Sequence, residues 1–166
     1  VLGNHDLYLL YLMIINQGKG KLKKVVEAEN NKQIFEWLIT RPLLIKISDQ
    51  LTENKFIITH AGVPEIWPLE KAQDLAKEVS LALNDDASKI LKAMWGDDPN
   101  SWNESFSGNE RYRIIINYLT RMRFLDNTAS LDLENTSTKA SEGCKPWFHY
   151  KSDSYKKMKH YYVFGH

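Results

Sequence analysis

Three places in this 166-residue chain end an apolar run on a side chain that can bind metal. They are Val1-Leu2-Gly3-Asn4-His5-Asp6, Phe56-Ile57-Ile58-Thr59-His60-Ala61-Gly62 and Tyr161-Tyr162-Val163-Phe164-Gly165-His166. Asn offers a neutral carbonyl oxygen suited to hard divalent cations, and His an imidazole that either ligates or carries a proton near neutral pH. Gly3 would let the backbone turn sharply and approach a ligand closely. Taken singly, Asn4-His5-Asp6 is also the composition of a turn, and His60 or His166 could be a hydrogen-bonded structural histidine. The repetition favours one site drawn from distant segments, because ligands in open α/β sheets collect outside the carboxyl ends of strands. Such a site points to metal-assisted hydrolysis.

Arg111, Arg113, Arg121 and Arg123 form a second constellation. Guanidinium groups grip phosphate oxygens bidentately, as a polyphosphate substrate would require. Residues two apart on a helix do not share a face, so at most one of each pair would point at a site. Surface or ion-pairing roles are the alternative for each. Trp95, Trp102 and Trp147 could stack on adenine, although large aromatics more commonly pack.

The elements that would position these groups alternate between strand and helix. Val1–Gly3 reads as the tail of a strand, and Leu7–Asn16 as a largely buried helix because it is apolar on nearly every side. Gln17–Lys24 reads as a basic, glycine-containing loop. Lys32–Thr40 carries Ile34, Phe35, Leu38 and Ile39 at helical spacing, and Arg41-Pro42 ends it. Leu43–Ile47 and Lys55–Thr59 are β-branched runs joined as a hairpin. Leu69–Leu83 places Ala72, Leu75, Ala76, Val79 and Leu83 on one helical face. Ala87–Trp95 reads as a helix stopped by Gly96, and Asp97–Glu110 as a loop. Arg111–Leu125 reads as a helix, Ser130–Leu133 as a short strand in a polar stretch, and Tyr161–Phe164 as the last strand.

At 43% hydrophobic residues the chain can bury one core and is too short for two comfortable domains. With 22 Lys and Arg against 21 Asp and Glu, bulk charge predicts neither a nucleic-acid nor a membrane-surface partner. Its longest apolar stretch, Leu7–Ile15, falls well short of the ~20 residues that span a bilayer. Cys144 is the single cysteine, which excludes an intrachain disulfide and points to a reducing, cytoplasmic setting. The chain starts at Val1, on what reads as the end of a buried strand, and stops at His166. Residues 1–166 are therefore expected to be one partial domain, truncated at both ends.

In their order, Gly3-Asn4-His5-Asp6, His60-Ala61-Gly62 and Gly165-His166 resemble the downstream motifs of the calcineurin-like metallophosphoesterases. Trp95-Gly96-Asp97-Asp98-Pro99-Asn100-Ser101-Trp102, Asn117-Tyr118-Leu119-Thr120-Arg121-Met122-Arg123 and Lys145-Pro146-Trp147-Phe148 resemble the branch that acts on dinucleoside polyphosphates. The resemblance implies an α/β fold, a β-sandwich flanked by helices, with the site at the strand ends. It implies two divalent ions, manganese or cobalt, with Asn4, His60 and His166 as ligands of the second. His5 would be the general acid, and Arg121, Arg123 or Arg111 would bind substrate. The implied reaction is symmetric hydrolysis of diadenosine tetraphosphate to two ADP. That family's upstream motifs, an Asp-x-His pair and a Gly-Asp segment with the bridging Asp, are not in the sequence, so the chain alone is expected to be inactive. A protein serine/threonine phosphatase of the same superfamily and a non-catalytic nucleotide-binding relic are the alternatives. Oligomeric state is not legible.

Overall fold

Asp6 decides where the first helix begins. Its carboxylate accepts the Gly3 N–H at 2.8 Å, and the Leu7 N–H donates to the Gly3 carbonyl at 3.1 Å. An acidic side chain in the first turn satisfies an otherwise unpaired amide and complements the helix dipole. Helix α1 therefore spans Asn4–Ile14, starting ahead of the expected Leu7. Val1–Gly3 is not a strand; instead the Leu2 N–H donates to the Pro42 carbonyl at 2.8 Å. Asn4 and His5 thus lie on a first helical turn rather than in a loop after a strand.

The computed structural model describes residues 1–150 and 160–165. After α1 come a 3₁₀ turn at Gly20–Leu22 and a short helix α2 (Lys23–Val26), where a loop was expected. Burial of Val26 accounts for the extra turn. Helix α3 (Asn31–Ile39) follows and packs on α1. Strands β1 (Leu44–Ser48) and β2 (Lys55–Thr59) form the expected antiparallel hairpin. Its loop is closed by Asp49, whose carboxylate accepts the Leu51 N–H at 2.9 Å.

Helix α4 (Leu69–Asp85) buries Ala72, Leu75, Ala76, Val79 and Leu83, the face its spacing predicts. Asp86 caps α5 (Ala87–Ala93) by accepting the Lys89 N–H at 2.9 Å. Helix α6 (Gly108–Arg121) packs against both α4 and α5. It stops four residues before the expected end because Met122 turns extended, with ψ 120°. Phe124–Leu125 then becomes β3, paired antiparallel with β4 (Lys145–Pro146). The expected Ser130–Leu133 strand is reduced to one bridge between Leu125 and Leu131. Strand β5 (His160–Val163) adds parallel to β2, giving a sheet ordered β1-β2-β5. The chain is thus mixed α/β; among the described residues a second facing layer of a sandwich is not delineated. Among those residues no helix is long and apolar enough to cross a membrane.

Tyr118 stands at the centre of the core, fully buried, with its ring 4.9 Å from that of Trp67. Its hydroxyl donates to the Ala129 carbonyl at 2.6 Å, and burial pushes the phenol far above the usual tyrosine range. A raised folded-state pKa means that the unfolded chain ionises first. The stabilisation is complete below the unfolded value of about 10 and is lost as pH rises beyond it. Tyr118→Phe should cost ~1 kcal/mol at pH 8 for the lost hydrogen bond. Urea midpoints of the two proteins should converge above about pH 10, where only the wild type has a phenol to ionise. A gap that stays constant from pH 8 to 11 would refute this account.

Candidate active site

Strands β2 and β5 run parallel with Ile58 opposite Val163, so both release the chain at one rim of the sheet. There the Gly165 N–H donates to the His60 carbonyl at 3.0 Å. The next residue, His166, lies outside the described residues. On its other side the segment is tied to α6, because the Ala61 N–H donates to the Leu119 carbonyl at 2.9 Å. His60 is therefore held through backbone contacts on two sides.

The first turn of α1 meets His60 from the side chain. A Cβ on Gly3 would lie 2.7 Å from His60 Nδ1 and 2.8 Å from its Cε1, so only glycine lets the imidazole and this turn approach. Burial lowers the His60 pKa from its ordinary value; the Asp6 carboxylate opposes the shift and His5 adds to it. Asn4 Oδ1 is enclosed and accepts no hydrogen bond among the described residues. A buried carbonyl oxygen without a partner is costly, and a cation is one way to satisfy it. Asn oxygen and His nitrogen together match one edge of a divalent ion's shell. Among the described residues no three of His, Cys, Asp and Glu converge to complete such a shell. His5, beside Asn4, is exposed to solvent.

Arg111 and Arg113 diverge as their helical spacing predicts, whereas Arg121 and Arg123 are separated by the end of α6. Arg111 forks onto Glu78 of α4, with Nε 2.7 Å and Nη2 2.9 Å from its two oxygens, and its guanidinium lies 5.0 Å from the Trp102 ring centre. Arg113 donates to the carbonyls of Ala93 at 2.8 Å and Asp98 at 2.6 Å. Arg121 donates to Asp97 at 2.8 Å and to the Gly96 carbonyl at 3.2 Å. Between these two, buried Asn117 donates to the same Gly96 carbonyl at 3.2 Å and accepts from Arg121 at 3.1 Å. Residues 113, 117 and 121 thus form one stripe at helical spacing that grips the loop after α5. The role of Asn117 was missed from sequence; its signal is a polar residue in step with two arginines within an Ile-rich helix. Trp95, in the gripped loop, then stands edge-on to Tyr8 and Tyr11 of α1, with centroids 5.6 and 5.4 Å away.

Arg123 differs from the other three. Beyond the helix end, it donates to the Thr136 carbonyl at 2.9 Å and lines a cavity of about 480 Å³ with Trp147, Phe148 and Phe164. That cavity adjoins the His60 segment through Gly62. A Cβ there would lie 2.5 Å from Trp147 Cε2 and 2.8 Å from Met122 Cε. Trp147 is buried, and its indole touches Gly62 while lining the cavity.

No family model matches the chain. Relatives align with all of it. A Marinomonas sp. protein named bis(5'-nucleosyl)-tetraphosphatase, symmetrical, is 41% identical over 178 residues, covering 100% of this chain and 60% of its own length. Proteins of the same name from Pseudomonas putida and Pseudomonas entomophila are 40% and 39% identical, covering 100% of this chain and 58% and 59% of their own lengths. The chain spans about three-fifths of the length of the curated relatives it matches. Throughout its 166 residues the chain is therefore a homologue of proteins named symmetrical bis(5'-nucleosyl)-tetraphosphatase.

Proposed function

We propose that the protein carrying this chain is a metal-dependent hydrolase that splits diadenosine tetraphosphate symmetrically into two ADP, on a calcineurin-like metallophosphoesterase fold. The observation that carries the reading is the close approach of Gly3 to His60 on the turn that also holds the enclosed Asn4 oxygen, in a chain that aligns throughout with proteins bearing that name. Asn4, His60 and His166 would hold one of two divalent ions, manganese or cobalt. When bound, such a pair supplies a hydroxide nucleophile and Lewis-acid stabilisation of the attacking and leaving oxygens.

The chain's own residues do the rest. Gly3 and the Asp6 cap hold the turn that carries Asn4 beside His60. His5, exposed on the same turn, donates a proton to the departing phosphate oxygen. The amino end of α1 adds partial positive charge where phosphate would sit. Of Arg121 and Arg123, Arg123 is the one that lines the aromatic cavity beside Gly62, and it contacts the polyphosphate chain. On this reading the 166 residues alone are inactive. The working place is the cytoplasm.

The full-length natural protein tests the division of labour. Asn4→Ala and His60→Ala should lower bound manganese, and Gly3→Ala should do so without removing any ligand atom. His5→Asn should keep the metal and slow turnover by ~10²–10⁴; full rescue by excess manganese would instead make His5 a ligand. Arg123→Ala removes a charge-assisted contact of ~1.5–3 kcal/mol. That is a loss of roughly 10- to 150-fold in kcat/KM. Arg121→Ala should lower the unfolding midpoint more than Arg123→Ala does and kcat/KM less, and the reverse ranking of the two arginines would refute the assignment.

A further inference from the structure

The cavity beside Gly62 has no task in the chemistry above. Its floor is Trp147, and its open side carries Phe148 and Phe164, exposed at 52% and 40%. These two rings stack at 6.0 Å with planes 28° apart, and Trp147 meets Phe164 edge-on at 4.9 Å. Such large exposed rings leave apolar surface in water that a flat partner would cover. The polar groups are Arg123 and the run Thr136-Ser137-Thr138, which Arg123 tethers through the Thr136 carbonyl. A cavity of about 480 Å³ with aromatic walls and a polar edge is of the size and character of small-ligand sites.

We propose that this cavity binds one nucleobase of the substrate, stacked on Phe148, with the phosphates running past Arg123 toward Asn4 and His60. The identity of the occupant rests on the hydrolase reading, since a ligand anchored by phosphate at His60 has its base one indole away. Stacking on an aromatic ring is tolerant of base identity, because every base has a π-face. The pocket therefore selects nucleotides over bare polyphosphate more than adenine over guanine. Trp147, one of the three tryptophans that could stack on adenine by sequence, is buried and serves as the wall behind the base.

The test measures binding, not turnover, on the full-length natural protein in EDTA. Dissociation constants for ADP and for pyrophosphate are compared by calorimetry. ADP should bind more tightly than pyrophosphate. Phe148→Ala should weaken ADP by roughly 5- to 100-fold, the usual loss for one stacked base, and leave pyrophosphate unchanged. Phe148→Trp should restore ADP binding. Equal affinity for the two ligands, or a Phe148→Ala loss shared by both, overturns the proposal. Wild-type ADP selectivity without hydrolysis would sink the hydrolase reading and keep the pocket. Hydrolysis without ADP selectivity would do the opposite.

Discussion

The segment His60–Gly62 is held at separations that a single methyl group would break. At one end the imidazole rests on the bare Cα of Gly3, and at the other the bare Cα of Gly62 rests on the Trp147 indole. Between them the Ala61 N–H is fixed to Leu119 of α6. Protein interiors are close-packed, so contacts this short transmit displacement rather than absorb it. The first turn of α1, the end of β2, the end of α6 and the aromatic cavity therefore share one origin. Moving any of them moves His60.

Helix α6 is the other organiser, and it uses charge for architecture. Arg113, Asn117 and Arg121 bind carbonyls of residues 93, 96 and 98, groups left unpaired where α5 ends. The loop they hold carries Trp95 onto α1, so the helix bearing Asn4 and His5 is braced from the far side of the molecule. Arg111 is spent likewise on Glu78. Four arginines that read alike in sequence thus have unlike duties, and the one that lines the aromatic cavity is the one past the helix end.

Much of this was legible from local pattern. The spacing of α4, the β1–β2 hairpin and the placement of His60 at a strand end all follow from periodicity and turn chemistry within short windows. The failures share a cause. Val1–Gly3 is apolar like a strand, yet its amides go to Pro42 and Asp6 instead of a sheet partner. Phe124–Leu125 has helical neighbours, but β4 from twenty residues away supplies its hydrogen bonds. The paired glycine contacts involve residues remote in sequence, and no window could reveal them. Of the candidate site, residue types were readable; which arginine lines the aromatic cavity, and what lies beside Gly62, depended on tertiary packing.

The mixed sheet has a kinetic consequence. Strand β2 meets β1 across a short loop, whereas its pairing with β5 closes one of about a hundred residues. Loop-closure entropy rises with length, and long-range parallel pairing is slow relative to local hairpins. The hairpin that carries His60 thus closes at lower entropic cost than the pairing that brings the Gly165 amide to it. The rim joins one local pairing to one that spans most of the chain, and the second is the slower of the two to form.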